Sequence, residues 1–273
     1  MMLPASWFSF PYQEKPMPVL FLGHGSPMNA IEENPFVAEF RRVGKSLPRP
    51  AAILCISAHW ETRGTQVTAM QAPRTIHDFG GFPPALHAVQ YPAPGSPELA
   101  QATQQLVDMT EILADHRWGL DHGAWSVLTH LFPKADVPVV QLSLDYTQPP
   151  AYHYALAQQL KELRHRGILV VGSGNMVHNL RQIAWNKLDQ PFGFEWALEA
   201  NDQFKYFILQ DQVDRLIGYS KEGAAIQRAI PSPEHFLPLL YTMGVRNESD
   251  IPQFFNDVPV GGSLTMTSVI WGG

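Results

Sequence analysis

The stretch VLFLGHGSPM (residues 19–28) decides the fold of this chain. A short apolar run leads directly into a histidine between two glycines, which predicts a buried strand that ends in a tight turn. The stretches ILCISAHW (53–60) and ILVVGSGNMVHNL (168–180) have the same form. Because loops beyond the carboxyl ends of parallel strands build the ligand crevice of open α/β sheets, the histidines of these stretches are expected to meet there.

Strand-like and helix-like spacings alternate along the rest of the chain. Strands are predicted near residues 18–22, 51–57, 66–70, 137–143, 168–172 and 264–270. Helices are predicted over residues 34–46, 97–114, 122–132, 149–166 and 194–217. This alternation is typical of βαβ units. The chain is therefore predicted to be an α/β protein with a mostly parallel or mixed central sheet and helices on both faces.

The chain has 273 residues and no break in composition that would mark a linker, so residues 17–273 are expected to form a single domain. Residues 1–16 are predicted to form an arm on the surface. The aromatic residues of the arm are Trp7, Phe8, Phe10 and Tyr12. They suggest that the arm packs against another surface, such as a second subunit of a homo-oligomer.

Composition excludes several classes of partner and location. The 19 Lys and Arg against 25 Asp and Glu give a net charge of −6, which argues against a nucleic-acid partner. No apolar run approaches the roughly eighteen residues of a membrane span, and the first residues lack the features of a signal peptide. Cys55 is the only cysteine, so no internal disulfide can form. We predict that Cys55 is a buried apolar residue and that the protein is cytoplasmic.

The segment APRTIHDFGGFPPALHAVQYPAPGSP (72–97) is unusually rich in glycine and proline. It is too irregular for an ordinary connection, and long structured loops are usually lids or binding loops. The segment is therefore predicted to be a lid, and His77 within it is a candidate contact for the substrate.

Four histidines are candidate metal ligands. His24, His59 and His178 follow the predicted strands, and His235 lies in PSPEHF (231–236). Imidazole is the commonest neutral metal ligand in proteins, so several imidazoles that arrive at one sheet edge favour a single metal ion. The alternative for each is a turn or surface histidine that hydrogen-bonds within the protein.

The neighbours of two of these histidines predict helix starts. His178 is expected in the first turn of a helix, whose N-terminus would lower the pKa of the imidazole. Ser173, in the Gly-Ser-Gly before it, is interpreted as a turn residue because a nucleophile elbow needs a different pattern. Ser232 is interpreted as an N-cap and Pro233 as the first helical residue. Glu234 is then a partner of the helix dipole.

His122 also stands at a predicted helix start, directly after Asp121. It is a candidate acid or base close to the metal, and Asp121 could fix its tautomer, although adjacent side chains on a helix diverge. The alternative is a histidine that only caps the helix. Arg63 and Arg74 could contact a carboxylate of the substrate, or they are ordinary surface charges.

Seven stretches of the chain carry a resemblance when they are taken together: GHGSPM, SAHW, HDFGGFP, YPAPGSP, DHGAWSVL, GSGNMVHNL and PSPEHFLPLLY. They resemble the class III extradiol ring-cleavage dioxygenases, which are the protocatechuate 4,5-dioxygenase catalytic-subunit superfamily, and within it the 4,5-DOPA extradiol dioxygenase branch. The resemblance covers residues 17–271. It implies a single α/β domain with a mixed sheet and one metal ion. It also implies O2-dependent opening of a catechol ring beside its two hydroxyls, which gives a semialdehyde acid.

The resemblance also assigns roles by motif. It implies that His24 and His59 are two metal ligands and that His235 occupies the third ligand position. It implies that His178 either completes the metal shell or acts as a base, and that His122 is a second acid or base near the oxygen site.

The candidate ligands do not by themselves identify the metal ion. The resemblance implies Fe(II) for activity, yet non-haem iron sites usually offer two histidines and one carboxylate, and here Glu234 is the only nearby acid. Because Zn²⁺ also prefers histidine, zinc is expected as an occupant of the isolated protein. One alternative function is a zinc-dependent hydrolase, which would act without O2. Another is a non-enzymatic metal-binding or interaction protein, which would turn over no catechol.

Overall fold

The computed structural model describes residues 10–272. The strands in this part of the chain are β1 (Val19–Gly23), β2 (Ala52–Thr62), β3 (Gln66–Thr68), β4 (Leu113–Asp115), β5 (Val139–Asp145), β6 (Ile168–Gly174), β7 (Pro252–Phe255), β8 (Pro259–Val260), β9 (Leu264–Thr265) and β10 (Ser268–Trp271). The α-helices are α1 (Pro35–Ser46), α2 (Pro84–His87), α3 (Pro97–Leu106), α4 (His122–Leu131), α5 (Pro150–Gln159), α6 (Glu195–Leu209), α7 (Val213–Ile217), α8 (Ala224–Ala229) and α9 (Leu237–Val245). None of these helices is long and apolar enough to cross a membrane.

Eight strands form one mixed sheet in the order β4-β3-β5-β2-β6-β1-β10-β7. The central strands β5, β2, β6 and β1 are parallel, whereas β10 and β7 continue the sheet in antiparallel pairs and β3 is antiparallel to β5. Strands β8 and β9 form a separate hairpin. The predicted α/β class with a mixed sheet is confirmed. Its central parallel strands place the carboxyl ends of β1, β2 and β6 side by side.

Alternate residues of the central strands pack into two cores on opposite faces of the sheet. Phe21 and Leu54 join the core that includes residues of α5 and α9. Leu20 and Ile53 join the core that includes residues of α1 and α4. Fully burying a side chain of this size stabilises the fold by roughly 1.5–3 kcal/mol. The prediction of helices on both faces is therefore confirmed, and it explains why these strands are apolar throughout.

Three predicted helices are shorter than the sequence indicated. The helix predicted over 97–114 ends at Leu106, because the chain then turns to pair β4 with β3. The helix predicted over 149–166 continues after α5 only as a 3-10 helix. The helix predicted over 194–217 divides into α6 and α7, since Asp211 between them has a positive φ of 52° that a right-handed helix cannot contain.

The described part of the N-terminal arm contacts its own chain. Phe10 is buried in the core that includes α5 and α9. Tyr12 stacks on the ring of His165 at 5.2 Å between ring centroids, and the backbone N–H of Gln13 donates to the carbonyl of His165. Trp7 and Phe8, on which the prediction also relied, lie outside the described residues. Packing of the arm on a second subunit stays a prediction.

Candidate metal centre

Five histidines lie together at the carboxyl ends of the central strands. His24 directly follows β1, and His59 lies in β2 within the irregular stretch of its pairing with β5, between Ile56 and Glu61. His178 lies beyond β6, His235 precedes α9, and His122 begins α4. The structure thus brings together the four histidines that the sequence singled out as ligands. It adds His122, which the sequence singled out as an acid or base.

Three of these imidazoles are nearly equidistant from one another. The ring centroids of His24 and His59 are 5.0 Å apart, those of His59 and His235 5.0 Å, and those of His24 and His235 5.3 Å. The Nε2 atoms of His24 and His59 are 3.2 Å apart. Metal–nitrogen bonds of 2.0–2.1 Å in a tetrahedral site require nitrogens about 3.3 Å apart and ring centres about 5 Å apart. The arrangement therefore fits a single ion.

The histidine cluster contains two groups of possible metal donors that share no residue. Nitrogens of His24, His59 and His122 lie within 4.8 Å of one another, so this group could hold a metal ion. Donor atoms of His178, Glu234 and His235 form a second group, and they also lie within 4.8 Å of one another. His122 is placed differently from His235, because its ring centroid is only 3.8 Å from that of His59 but 5.9 Å from that of His24.

Ser173 fixes the tautomer of His24. The Ser173 hydroxyl donates to the carbonyl of Gly123 at 2.6 Å and lies 3.0 Å from Nδ1 of His24. Since its single proton is used on the carbonyl, the hydroxyl oxygen must accept the Nδ1 proton of His24. The lone pair of His24 is then on Nε2, which faces His59. The interpretation of Ser173 as a turn residue is wrong, because it lies within β6 and reaches the site from the sheet.

Asp78 is the carboxylate that contacts His122. Its Oδ2 is 2.8 Å from Nδ1 of His122, and its Oδ1 accepts from the backbone N–H of His122 at 2.9 Å. The same Oδ2 lies 3.6 Å from Nδ1 of His59. Burial opposes ionisation of Asp78, but the hydrogen bonds from His122 outweigh it and the pKa of the carboxyl is lowered overall. The sequence analysis missed Asp78, although it stands next to His77 in the predicted lid.

Asp121 does not contact the His122 ring, so the prediction that it fixes the tautomer is wrong. Its carboxylate accepts from the Ser57 hydroxyl at 2.6 Å, from the Gln141 amide at 2.7 Å and from the backbone N–H of Ala124. The side chain of an N-cap turns back over its own helix and away from the next residue. The prediction that a helix begins at His122 is confirmed.

His235 is held by a turn rather than by a helix. The helix start predicted at Pro233 is wrong, since α9 begins at Leu237. Ser232 donates to Glu234 Oε1, which lies 3.1 Å from Nδ1 of His235, so Glu234 contacts an imidazole instead of a helix dipole. A Cβ at Gly174 would collide with the carbonyl oxygen of His235, so this approach requires glycine.

His178 lies face to face with His235. Their ring centroids are 3.5 Å apart and the ring planes differ by 6°. The predicted helix start at His178 is wrong, because the residue forms an isolated bridge with Leu264 and the following short 3-10 helix begins only at Leu180. Burial, rather than a helix N-terminus, lowers the pKa of His178 to about 4.

Burial favours the neutral form of the four candidate ligands His24, His59, His178 and His235. Burial and the neighbouring imidazoles lower the pKa of His24 and of His235 well below the ordinary value. Burial, followed by the charge of His122, lowers the pKa of His59 to about 3. Neutral imidazoles are the form that binds metal, so at neutral pH the donors need no deprotonation.

The residues suggested as substrate contacts lie outside the histidine cluster. His77 donates through Nε2 to the carbonyl of Val89 at 2.9 Å, which holds one part of the 72–97 segment to another. Arg74 donates to the carbonyl of Trp118, and Arg63 and Arg74 are both exposed. A contact between His77 and substrate stays a prediction.

Known proteins resemble this chain over nearly its whole length. Residues 18–260 match the family described as the catalytic LigB subunit of aromatic ring-opening dioxygenase. A 4,5-DOPA dioxygenase extradiol of Escherichia coli K12 is 46% identical, with 93% of this chain and 94% of that protein covered. One of Beta vulgaris is 34% identical, with 91% and 94% covered. The crystal structure of an uncharacterized Escherichia coli K12 protein superposes with a TM-score of 0.81 at 40% identity, over 94% of this chain and all of that one. The chain belongs to the LigB family and is an extradiol aromatic ring-opening dioxygenase.

Proposed function

We propose that this enzyme opens the ring of a catechol that carries a side chain, as DOPA does. The ring would be cut beside its two hydroxyls, and both atoms of O2 would enter a semialdehyde acid product. Two relatives named 4,5-DOPA dioxygenase extradiol, each aligned over at least nine-tenths of this chain, support the choice of substrate class. The near-equal spacing of His24, His59 and His235 is the observation that carries the proposal, because it supplies one metal centre for such a substrate.

We assign the metal to His24, His59 and His235. Their ring centroids are 5.0 to 5.3 Å apart, close to the spacing that one shared ion requires. His122 fits less well as the third ligand, since its ring lies within 3.8 Å of His59. Fe(II) is the ion proposed for activity, and Zn²⁺ suits the same three imidazoles.

A bound iron would supply Lewis acidity towards the catechol hydroxyls and electron transfer between the ring and O2. His178 is proposed as the base that takes a hydroxyl proton. Its ring stacks parallel on that of His235, an arrangement that is unfavourable for two imidazoles that share one ion in their ring planes. Since burial keeps its pKa near 4, it is neutral and able to accept a proton at neutral pH.

His122 is proposed as the second acid or base. Its Nδ1 is engaged by Asp78, which leaves Nε2 for the substrate or for oxygen. His122 approaches the cluster from α4 on the His59 side, whereas His178 stacks on His235. The two proton-transfer groups thus contact different proposed ligands.

Anaerobic loading with Fe(II), followed by O2-uptake measurements across a panel of catechols, tests the function. We expect stoichiometric O2 uptake and a yellow semialdehyde product. Substrate loss that continues without O2 would instead favour the zinc-dependent hydrolase. No turnover of any catechol by fully iron-loaded protein would favour a non-enzymatic member of the family. The cytoplasmic location and a homo-oligomeric state stay predictions.

A further inference from the structure

Both carboxylate oxygens of Asp78 are within hydrogen-bond distance of one residue, His122, whereas Nδ1 of His59 lies farther away, at 3.6 Å from Oδ2. Oδ1 accepts from the backbone N–H at 2.9 Å, and Oδ2 lies 2.8 Å from Nδ1 of the ring. Two contacts to one residue fix the direction of the imidazole as well as its distance. Asp78 is partly buried, so these contacts are protected from competing water.

We propose that Asp78 is a positioning residue that holds His122 in the tautomer with its proton on Nδ1. An ionised carboxylate can only accept hydrogen bonds, so the nitrogen that faces it must carry the proton. When the ring carries this one proton, Nε2 of His122 is an acceptor directed away from Asp78. This inference rests on the proposed acid or base role of His122, and the tautomer itself can be measured without turnover.

The other nearby carboxylate is already engaged. Asp121 accepts hydrogen bonds from Ser57, Gln141 and its own helix, and the structure gives it no hydrogen bond to the His122 ring. Asp78 is therefore the carboxylate left to orient His122. The tautomer matters because an imidazole whose single proton is on Nε2 presents a donor at the position where an acceptor is required.

The position of Asp78 in the chain links His122 to the 72–97 segment. The residue before Asp78, His77, bonds to Val89 across that segment, and the residue after it, Phe79, has its ring edge-on to the ring of His122 at 5.5 Å between centroids. The residues on both sides of Asp78 thus make contacts of their own. A change in this segment would be transmitted to the His122 ring through Asp78.

Replacement of Asp78 by Asn gives a directional test. The backbone N–H of His122 can only donate, so the amide oxygen of the new side chain should turn towards it and accept this hydrogen bond. The amide NH2 group then faces Nδ1 of His122. Because two donors cannot face each other, His122 must move its proton to Nε2. Asp136→Asn is the matched control, since Asp136 is exposed and pairs with Arg49 at the surface.

Long-range 15N–1H NMR spectra of the metal-free protein report the tautomer, with the His122 signals assigned from a His122→Gln variant. We expect a proton on Nδ1 in the parent and in the control, and on Nε2 in Asp78→Asn. With iron restored, kcat should fall by about 10- to 100-fold while KM changes little. A parent His122 protonated on Nε2, or an unchanged tautomer in Asp78→Asn, would overturn the proposal. Failure of the parent to cleave catechols would count against the proposed function alone, because the NMR result does not depend on turnover.

Discussion

The imidazole rings of His178 and His235 are parallel, with centroids 3.5 Å apart and planes that differ by 6°. Metal ions bind an imidazole in the plane of its ring, so an ion in the plane of His235 lies well outside the plane of His178. This relationship disfavours a single ion that is shared by both rings. We propose His235 as the ligand because of its spacing from His24 and His59, and His178 as the base.

The His178→Ala variant should keep its metal and lose turnover. The proposed ligands His24, His59 and His235 are untouched, whereas the proton acceptor for the catechol hydroxyl is gone. General-base catalysis contributes about 10²- to 10⁴-fold, so kcat should fall by that factor. Metal content and O2 uptake on the same preparation measure the two effects. Cleavage of catechols at the parent rate would remove His178 from the mechanism.

His235→Ala and His122→Ala should differ in metal content. Loss of His235 removes one of three ligands, so the purified variant should retain well under half of the parent's metal. Loss of His122 should leave the metal content near that of the parent, because His122 is not one of the three proposed ligands and its ring lies only 3.8 Å from that of His59. Titration of the metal-free variants with Zn²⁺ gives the affinities. The reverse order would assign the third ligand position to His122.

Ser173→Ala should weaken metal binding without touching a ligand. The variant removes the acceptor that keeps the proton of His24 on Nδ1. Loss of a residue that hydrogen-bonds to a metal ligand typically lowers metal affinity or activity by 10- to 100-fold. Ser126→Ala is a matched control, since Ser126 is equally buried but its hydroxyl has no hydrogen-bond partner among the described residues. Equal zinc affinities in the two variants would show that Ser173 does not orient His24.

His153 should make the fold sensitive to acid. Burial is the main cause that lowers its pKa to about 4, against about 6.5 in the unfolded chain. Between these values the unfolded state binds more protons, so stability is lost as the pH falls below 6.5. A shift of this size corresponds to about 2 kcal/mol between pH 7.5 and pH 5.

The comparison of His153→Gln with the parent isolates that contribution. Urea unfolding at pH 7.5 and pH 5 should show a smaller acid-induced loss of stability in the variant, by about 2 kcal/mol. The site histidines lose stability with acid in the same direction, but they contribute equally to both proteins. An identical pH dependence in parent and variant would mean that His153 titrates normally in the folded state.

The central strands and the first candidate ligands followed from local sequence. The alternation of buried faces makes the central strands apolar throughout, and the Gly-His-Gly turn after β1 marks His24 without reference to any other part of the chain. Parallel strands end at a common edge, so the meeting of His24 and His59 could be expected from topology. The helix start at His122 could also be predicted from local sequence, because an N-cap residue hydrogen-bonds to the first turn of its own helix.

Tertiary structure alone decided which atoms face the site. Asp78 meets His122 across 44 positions of sequence, and Ser173 meets His24 across 149. Neither pair has a periodicity or a motif, because the side chains come together only after the sheet is assembled and the 72–97 segment folds over it. Local propensity acts between neighbours along the chain, whereas the orientation of an imidazole depends on hydrogen bonds from whatever element packs beside it. That is why the sequence alone indicated the candidate donors of this centre, whereas only the packed structure decided which groups hydrogen-bond to their rings.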